Sequence, residues 1–386
     1  MDDPVRSTPT IRDVAALAGV SITSVSHTLS TSRTVGQETA ARVWRAVEEL
    51  GYQPNRLARG LRLGHTGNIG LVLPDMSATL YTTLARSIHN EALSAGFHVQ
   101  IRNTDDSLEQ ERDSVTNLVR ERSVDGVILV PTGGDHAYLS DLARQRARLV
   151  VLHRRLPESP VPAVIADNED SAYAATKHML ALGHSRVVAL AGPGELGPND
   201  ERVSGYLRAL LEHGVDEAQV MRCPALSERD RRAWAYEAVV SLLEKPGRPT
   251  AVMALSHYIL VGASMALRDL DVACPEAMAL MGFGNAWEAE ALRPSASVVQ
   301  QDTRGMALAA VGLVCQWIGQ GSAPTEDVVV RNQFVIAESC GWRHSATPEA
   351  RAYCAGACPA NRRCSGSAYQ ECVPTSAGTE LMAAGT

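Results

Sequence analysis

The sequence predicts an α/β chain: a three-helix head holding a helix-turn-helix, a hinge, and a two-lobed core of parallel sheets. Three observations carry that prediction. Residues 10–52 hold three short helical patterns punctuated by glycines. From Asn68 onward, strand-length apolar runs alternate with helical runs, the pattern of a parallel sheet covered on both faces. Near Asn168 the alternation begins again as a second unit of the same design.

With 386 residues, the chain is long enough to bury more than one core. Hydrophobic residues make up 45%, yet no apolar run is long enough to span a bilayer, so no membrane partner is expected. The first 30 residues lack the basic, apolar and small-residue order of a secretory signal, which makes the cytoplasm the expected compartment. A net charge of −7 argues against a nucleic-acid partner until its distribution is considered. Residues 1–65 carry a net +2, and the remainder carries −9. So small an excess gives one chain few phosphate contacts. Backbone affinity scales with those contacts, so a dimer is needed.

Residues 1–9 are polar and proline-punctuated, the composition of a disordered arm. In residues 10–30, TIRDVAALAGVSITSVSHTLS, a first helix places Ile11, Val14, Ala15 and Leu17 on one side. Thr10 caps it, and Asp13 lies in its first turn, where negative charge suits the helix end. Gly19 supplies a sharp turn. A second helix starts at Ser21, with Val20, Val25 and Leu29 inward and Ile22, Thr23, Ser26 and His27 outward. This is a helix-turn-helix whose second helix fits the major groove, although an ordinary αα-hairpin has the same periodicity. Gln37 to Leu50 reads as a third helix with Ala40, Val43, Val47 and Leu50 inward, and Gly51 stops it.

Four runs then stand in order: DVAALAGVS (13–21), SVSHTLS (24–30), VEELGYQPN (47–55) and ARGL (58–61). In them, and on through about residue 341, the chain resembles the lactose-repressor (LacI) type of bacterial transcription regulators. The resemblance implies that the hinge, residues 53–67, folds on operator DNA and wedges Leu61, beside Ala58, into the minor groove. Packing of Leu61 against the next domain is the alternative. It implies base contacts from Ile22, Thr23 and His27, and phosphate contacts from Thr10, Ser21, Ser24, Ser26, Ser30 and Asn55. Such regulators most often carry arginine where this chain has His27. Arginine can grip guanine O6 and N7 with two donors, and neutral histidine offers one, so weaker discrimination is expected there, with affinity rising as pH falls. A pseudo-palindromic operator with a central CG step, bound by a homodimer, is expected. A tetramer stays open, since the tail carries no leucine heptads.

The strand and helix patterns of the core follow in order. Strands are expected at 68–74, 98–103, 125–130, 148–153 and 163–167, with helices at 82–95, 108–121 and 139–146. In the second unit, strands are expected at 187–192, 218–223, 250–255, 277–284 and 296–301, with helices at 168–182, 201–214, 231–243 and 259–270. A helix over 305–319 returns to the first unit, and residues 328–341 close the resemblance. The implied lobes, like those of periplasmic sugar-binding proteins, are 68–168 with 302–323, and 169–301 with 325–341.

Ligands of open α/β sheets collect at the carboxyl ends of strands, and two lobes place those ends around one cleft. The candidates for binding a small-molecule effector are Asp75, Tyr81, Asn103, Arg154, Arg202, His257, Asn285 and Gln301. Arg202 matches the arginine that grips ligand hydroxyls or a carboxylate in resembling regulators, and a surface salt bridge is its alternative role. The family pattern usually has Asn-Asp where Ser256 and His257 stand, and Asp-Asp where Gly284 and Asn285 stand. A cleft with fewer acids leaves room for a phosphate or carboxylate, or for a less specific sugar site.

No catalytic or metal constellation stands out in the core, so neither an enzyme nor a cofactor is expected. Residues 342–386 lie outside the resemblance. There Cys354, Cys358, Cys364 and Cys372 have spacings that fit no standard zinc knuckle, which leaves a disordered tail, a metal site or a redox role open. Together these features describe an effector-controlled, DNA-binding repressor. A solute-binding or sugar-converting protein on the same core is the alternative, and it would lack the head.

Overall fold

A computed structural model describes residues 9–30, 35–52, 65–156, 159–192, 198–215, 218–224, 228–321, 324 and 326–341. The chain divides into two compact units, residues 1–67 and 68–386.

In the first unit, α1 (Ile11–Ala18), α2 (Ile22–Ser30) and α3 (Gln37–Leu50) pack in pairs. Their shared core is Val14, Ala15, Ala18, Val25, Val43 and Ala46, with Val20, Leu29, Val47 and Leu50 packed against it. The Asp13 carboxylate accepts from both the backbone N–H and the hydroxyl of Thr10, each at 2.7 Å, and so ties down the start of α1. Gly19 ends α1 at φ 63°, ψ 37°, a left-handed conformation that costs glycine little. Ser21 Oγ accepts from the backbone N–H of Ser24 at 3.1 Å and opens α2.

Two expectations for this unit fail. Leu17 is 46% exposed, and Ala18 takes the inward place, because positions 14, 15 and 18 share one face of a 3.6-residue helix. Ser26 is only 6% exposed rather than outward. Helix α2 packs against both α1 and α3, so it buries a wider stripe than one apolar line, and Ser26 and Thr28 fall inside it.

The second unit holds two six-stranded sheets. The first joins β1 (Asn68–Leu73), β2 (His98–Asn103), β3 (Gly126–Leu129), β4 (Leu149–Leu152), β5 (Ala163–Ala166) and β11 (Val328–Val330), in the order β11-β5-β4-β3-β1-β2, all parallel. Around it lie α4 (Thr79–Ser94), α5 (Leu108–Arg120), α6 (Ala137–Arg144) and α12 (Thr303–Gln320). The second joins β6 (Val187–Ala191), β7 (Gln219–Arg222), β8 (Ala251–Ala254), β9 (Ala279–Phe283), β10 (Ser297–Gln300) and β12 (Gln333–Val335), in the order β12-β10-β9-β8-β6-β7. Its helices are α7 (Asn168–Ala181), α8 (Pro198–Glu212), α9 (Glu228–Glu244), α10 (His257–Asp269) and the short α11 (Ala286–Ala291). Central strands such as β3, β4 and β8 are buried at every position, which is why they read as unbroken apolar runs. Each fully buried aliphatic side chain contributes about 1.5–3 kcal/mol.

The lobe boundaries differ from expectation at one place. Residues 325–341 do not all belong to the second lobe. The valine triplet Val328–Val330 pairs parallel with β5 of the first sheet, and Gln333–Val335 pairs antiparallel with β10 of the second. The chain thus changes lobes within two residues, and the second sheet is not wholly parallel. A helix at Ala286–Ala291, too short to show a period, is also new.

Candidate functional site

The start of α2 presents Ile22, 45% exposed, and Thr23 and Ser21, both exposed. His27 is half-buried, and Thr10 is exposed at the start of α1. Ser24 is half-buried, with its hydroxyl 2.9 Å from that of Ser21. Ser26 is turned inward and is not placed to meet a phosphate. Asn55, Ala58 and Leu61, with residues 53–64 of the hinge around them, lie outside the described residues, as do the side chain of Ser30 and all four tail cysteines.

In the second unit, the carboxyl ends of β4, β8, β9 and β10 bring the core candidates together in two groups. The first surrounds Arg202 on α8. This side chain is 6% exposed, donates from Nε to Asn168 Oδ1 at 3.0 Å and from Nη1 to the Leu255 carbonyl at 2.7 Å. Its guanidinium carbon stands 3.9 Å from the centroid of Phe283, so the cation lies over an aromatic face. Burial pulls its pKa down to about 9, while Glu201 and Tyr81 pull the other way. The surface salt-bridge role is excluded by that burial. Across from it, Tyr81 packs edge-on to His153, with ring centroids 6.1 Å apart. Gln301 Nε2 lies 3.2 Å from His153 Nδ1. His153 adopts φ 72°, uncommon for a side chain of its size, and is 6% exposed. Burial first, then Arg154 and Arg202, hold its pKa well below the usual histidine range. The imidazole is therefore neutral, and with Gln301 donating to Nδ1, its Nε2 carries the proton.

The second group centres on Glu288 of α11, which sequence reasoning missed. One carboxylate oxygen accepts from Thr79 Oγ1 at 3.1 Å, and Thr79 opens α4 of the opposite lobe. The other lies 3.1 Å from His257 Nε2 and accepts from Asn285 Nδ2 at 3.0 Å. The cleft is thus not short of acids. A carboxylate three residues beyond Asn285 stands near where the expected pair is missing. Burial lowers the His257 pKa, and Glu288 opposes it. His257 Nδ1 is buried without a partner among the described residues and faces Gly284, so a second proton there would be stranded. The single proton of the neutral ring is left to Nε2, which faces Glu288 across that 3.1 Å contact.

Asp75 and Asn103 do not join either group. Asp75 accepts from the backbone and hydroxyl of Ser77, and Asn103 accepts from Met76 N–H while donating to Asp105. Both are engaged in their own loops at the ends of β1 and β2. No group of three or more metal-ligating side chains occurs among the described residues. Nor is any helix among them long and apolar enough to cross a membrane.

Residues 10–55 match the family described as "Bacterial regulatory proteins, lacI family". Residues 66–338 match "Periplasmic binding proteins and sugar binding domain of LacI family". The chain is 30% identical to the HTH-type transcriptional regulator DegA of Bacillus subtilis (strain 168), over 77% of this chain and 88% of that protein. It is 29% identical to the HTH-type transcriptional repressor PurR of Vibrio atlanticus (strain LGP32), over 76% of this chain and 87% of the relative. Among solved structures, a complex of the transcriptional regulator CelR with cellobiose matches at TM-score 0.63 and 26% identity, over 86% of this chain and 99% of that one. The lac repressor dimer bound to operator and the anti-inducer ONPF has the same fold, at TM-score 0.76 and 22% identity, over 86% and 99%.

Proposed function

Because the chain belongs to the LacI family of DNA-binding transcriptional regulators, we propose that it is a cytoplasmic homodimeric repressor whose operator affinity is set by a sugar or sugar derivative bound between its lobes. The observation that supports the DNA half is the start of α2. Gly19 and Ser21 fix where the helix begins, and Ile22 and Thr23 stand exposed on its first turn. Helices of this kind enter the major groove N-terminus first, with the first turn against base edges. Ile22 has no donor and meets a thymine methyl, Thr23 offers a hydroxyl, and His27 follows a turn later. Thr10, Ser21 and Ser24 are left to phosphates.

The effector half is supported by the convergence of Arg202, Tyr81, His153 and Gln301, drawn from both lobes and from a crossing between them. A ligand that touches both lobes favours one lobe arrangement over another and so can bias the operator-bound state. Each head brings little positive charge, so two heads on a pseudo-palindrome are needed for a tight, salt-sensitive complex. The test is a mobility shift with the DNA upstream of the chain's own gene, at low salt, with and without candidate sugars. A retarded band whose midpoint moves with a sugar supports the reading, and no band under any condition refutes it.

A further inference from the structure

A cavity of about 30 Å³ lies in the second lobe, by the amino-terminal ends of its strands rather than their carboxyl ends. The second half of α10, the entry to β9, the turn before β10 and Ser339 wall it. Ser264 and Arg268 stand about two and three turns along α10 from His257, so the cavity is separate from the effector cleft. Leu267, Leu280 and Ser339 are each at most 2% exposed and form the floor, with Ser264, 7% exposed, beside them. The Ser264 hydroxyl lines the cavity and has no hydrogen-bond partner among the described residues. A hydroxyl so buried is costly to leave unpartnered, and a ligand that meets it recovers that cost.

The other polar groups around the cavity are engaged, with one exception. Ser339 Oγ accepts from the Ser297 N–H at 2.9 Å and donates to the Leu280 carbonyl. The Cys274 thiol donates to the Ser339 carbonyl at 3.6 Å, and burial pushes its pKa up to about 12, so it stays neutral. At the exposed rim, Asp269 holds Arg268 through Nε at 2.9 Å and Nη2 at 2.7 Å. Glu338, next to Ser339, accepts from the N–H and the hydroxyl of Ser295 at 3.1 and 2.9 Å. The exception is Arg293. It directs Nη1 to the carbonyls of Glu290 and Leu292, at 3.0 and 2.8 Å, and makes no ion pair among the described residues.

We propose that this cavity is a second small-molecule site, which takes a short-chain hydroxy monocarboxylate with its alkyl end inside and its carboxylate at the rim against Arg293. A free guanidinium edge suits a carboxylate. The interior has room for about two or three heavy atoms, which fits the carbons of such an acid and excludes a sugar ring. Leu267, Val272 and Leu280 supply the apolar wall, and Ser264 meets the ligand hydroxyl.

The test titrates the full-length protein with acetate, propionate, butyrate, 3-hydroxybutyrate, hexanoate, butanol and chloride at matched ionic strength. Calorimetry gives affinities, and methyl NMR of Leu267, Val272 and Leu280 separates this cavity from the cleft. Affinity should rise about fourfold per carbon from acetate to butyrate and stop rising by hexanoate. 3-Hydroxybutyrate should bind roughly two- to tenfold tighter than butyrate, and Ser264→Ala should erase that gain. Arg293→Gln, on an exposed side chain, should weaken every acid roughly tenfold. Ser264→Leu fills the cavity and should abolish binding. Should that variant fail to fold, the other two decide the matter. The proposal is overturned by methyl signals that no acid moves, or that chloride moves as far. It is equally overturned if butanol binds as tightly as butyrate, or if affinity keeps climbing to hexanoate. Acid binding indifferent to Arg293→Gln, or a hydroxyl gain that survives Ser264→Ala, overturns it too.

Discussion

His27 lies in the last turn of α2, where its reach and donor count decide how one base pair is read. His27→Arg replaces one directed donor by a two-pronged one, so preference for guanine at one position per half-site should sharpen, by about 1–3 kcal/mol against the wrong base. Selection from random DNA on both proteins checks this, and identical preferences at every position would show that His27 does not face the groove. At Arg202, substitution by Ala removes the donors that face the ligand and strands Asn168 Oδ1 and the Leu255 carbonyl. Effector response should vanish while operator binding persists, and stability should fall by about 1–3 kcal/mol. Reporter assays with and without effector read the first effect, and urea unfolding the second. Arg202 was legible in the sequence because a short local run marks it. Glu288 was not, because what gives it a role is a hydroxyl 209 residues away and an imidazole on another helix. His153 was passed over for a similar reason: its partners Tyr81 and Gln301 are brought to it by the sheet order, which no local period records.

Among the elements, the strands and long helices were legible to within a few residues, because buried parallel strands leave apolar runs bounded by turns. The pair β11 and β12 was not legible as two elements. Only Arg331 and Asn332 separate them, and nothing in VVVRNQFV says that its halves join different sheets. The packing of α7 on α8 depends on Gly205, three residues beyond Arg202. A Cβ there would stand 2.0 Å from the Glu169 carbonyl oxygen, a backbone atom of α7. Gly205→Val should therefore push the two helices apart and break the contact between Arg202 and Asn168. We expect a lower melting temperature and a lost effector response, with operator binding retained. A variant with normal effector response would mean that the cleft tolerates the displacement. In the head, Gly19→Val places a branched side chain at φ 63° and should reduce operator affinity without altering ligand-induced thermal shifts of the core.

For the whole molecule, buried titratable groups set a lower bound on the working pH. Burial takes the His178 pKa down to about 4, from an ordinary 6.5, with His184 adding to the effect. The unfolded chain therefore takes up that proton first, and stability falls as pH drops from 6.5 toward 4, by about 2 kcal/mol between pH 7 and pH 5 from this residue. Glu111, fully buried, works in a lower window. Burial raises its pKa, but the His136 imidazole 3.2 Å away and hydrogen bonds from Tyr138 and Thr132 outweigh that and hold it below 4.5. Its stabilisation is present above that value and is lost as pH falls through the depressed one. Urea unfolding at pH 7 and pH 5 should show His178→Gln losing less than the wild type, and equal losses would clear His178. The chain crosses between the lobes at Asp167, at Gln301–Asp302 and at Arg331–Asn332, links of one or two residues each. Asp167 also ties the first of these to the third, accepting the Asn332 N–H at 2.7 Å. Links this short, two of them tied together, favour turning of the lobes over sliding or separation. If the cleft holds the effector, what it passes on is an angle: a ligand there would be sensed by how far it lets the door swing.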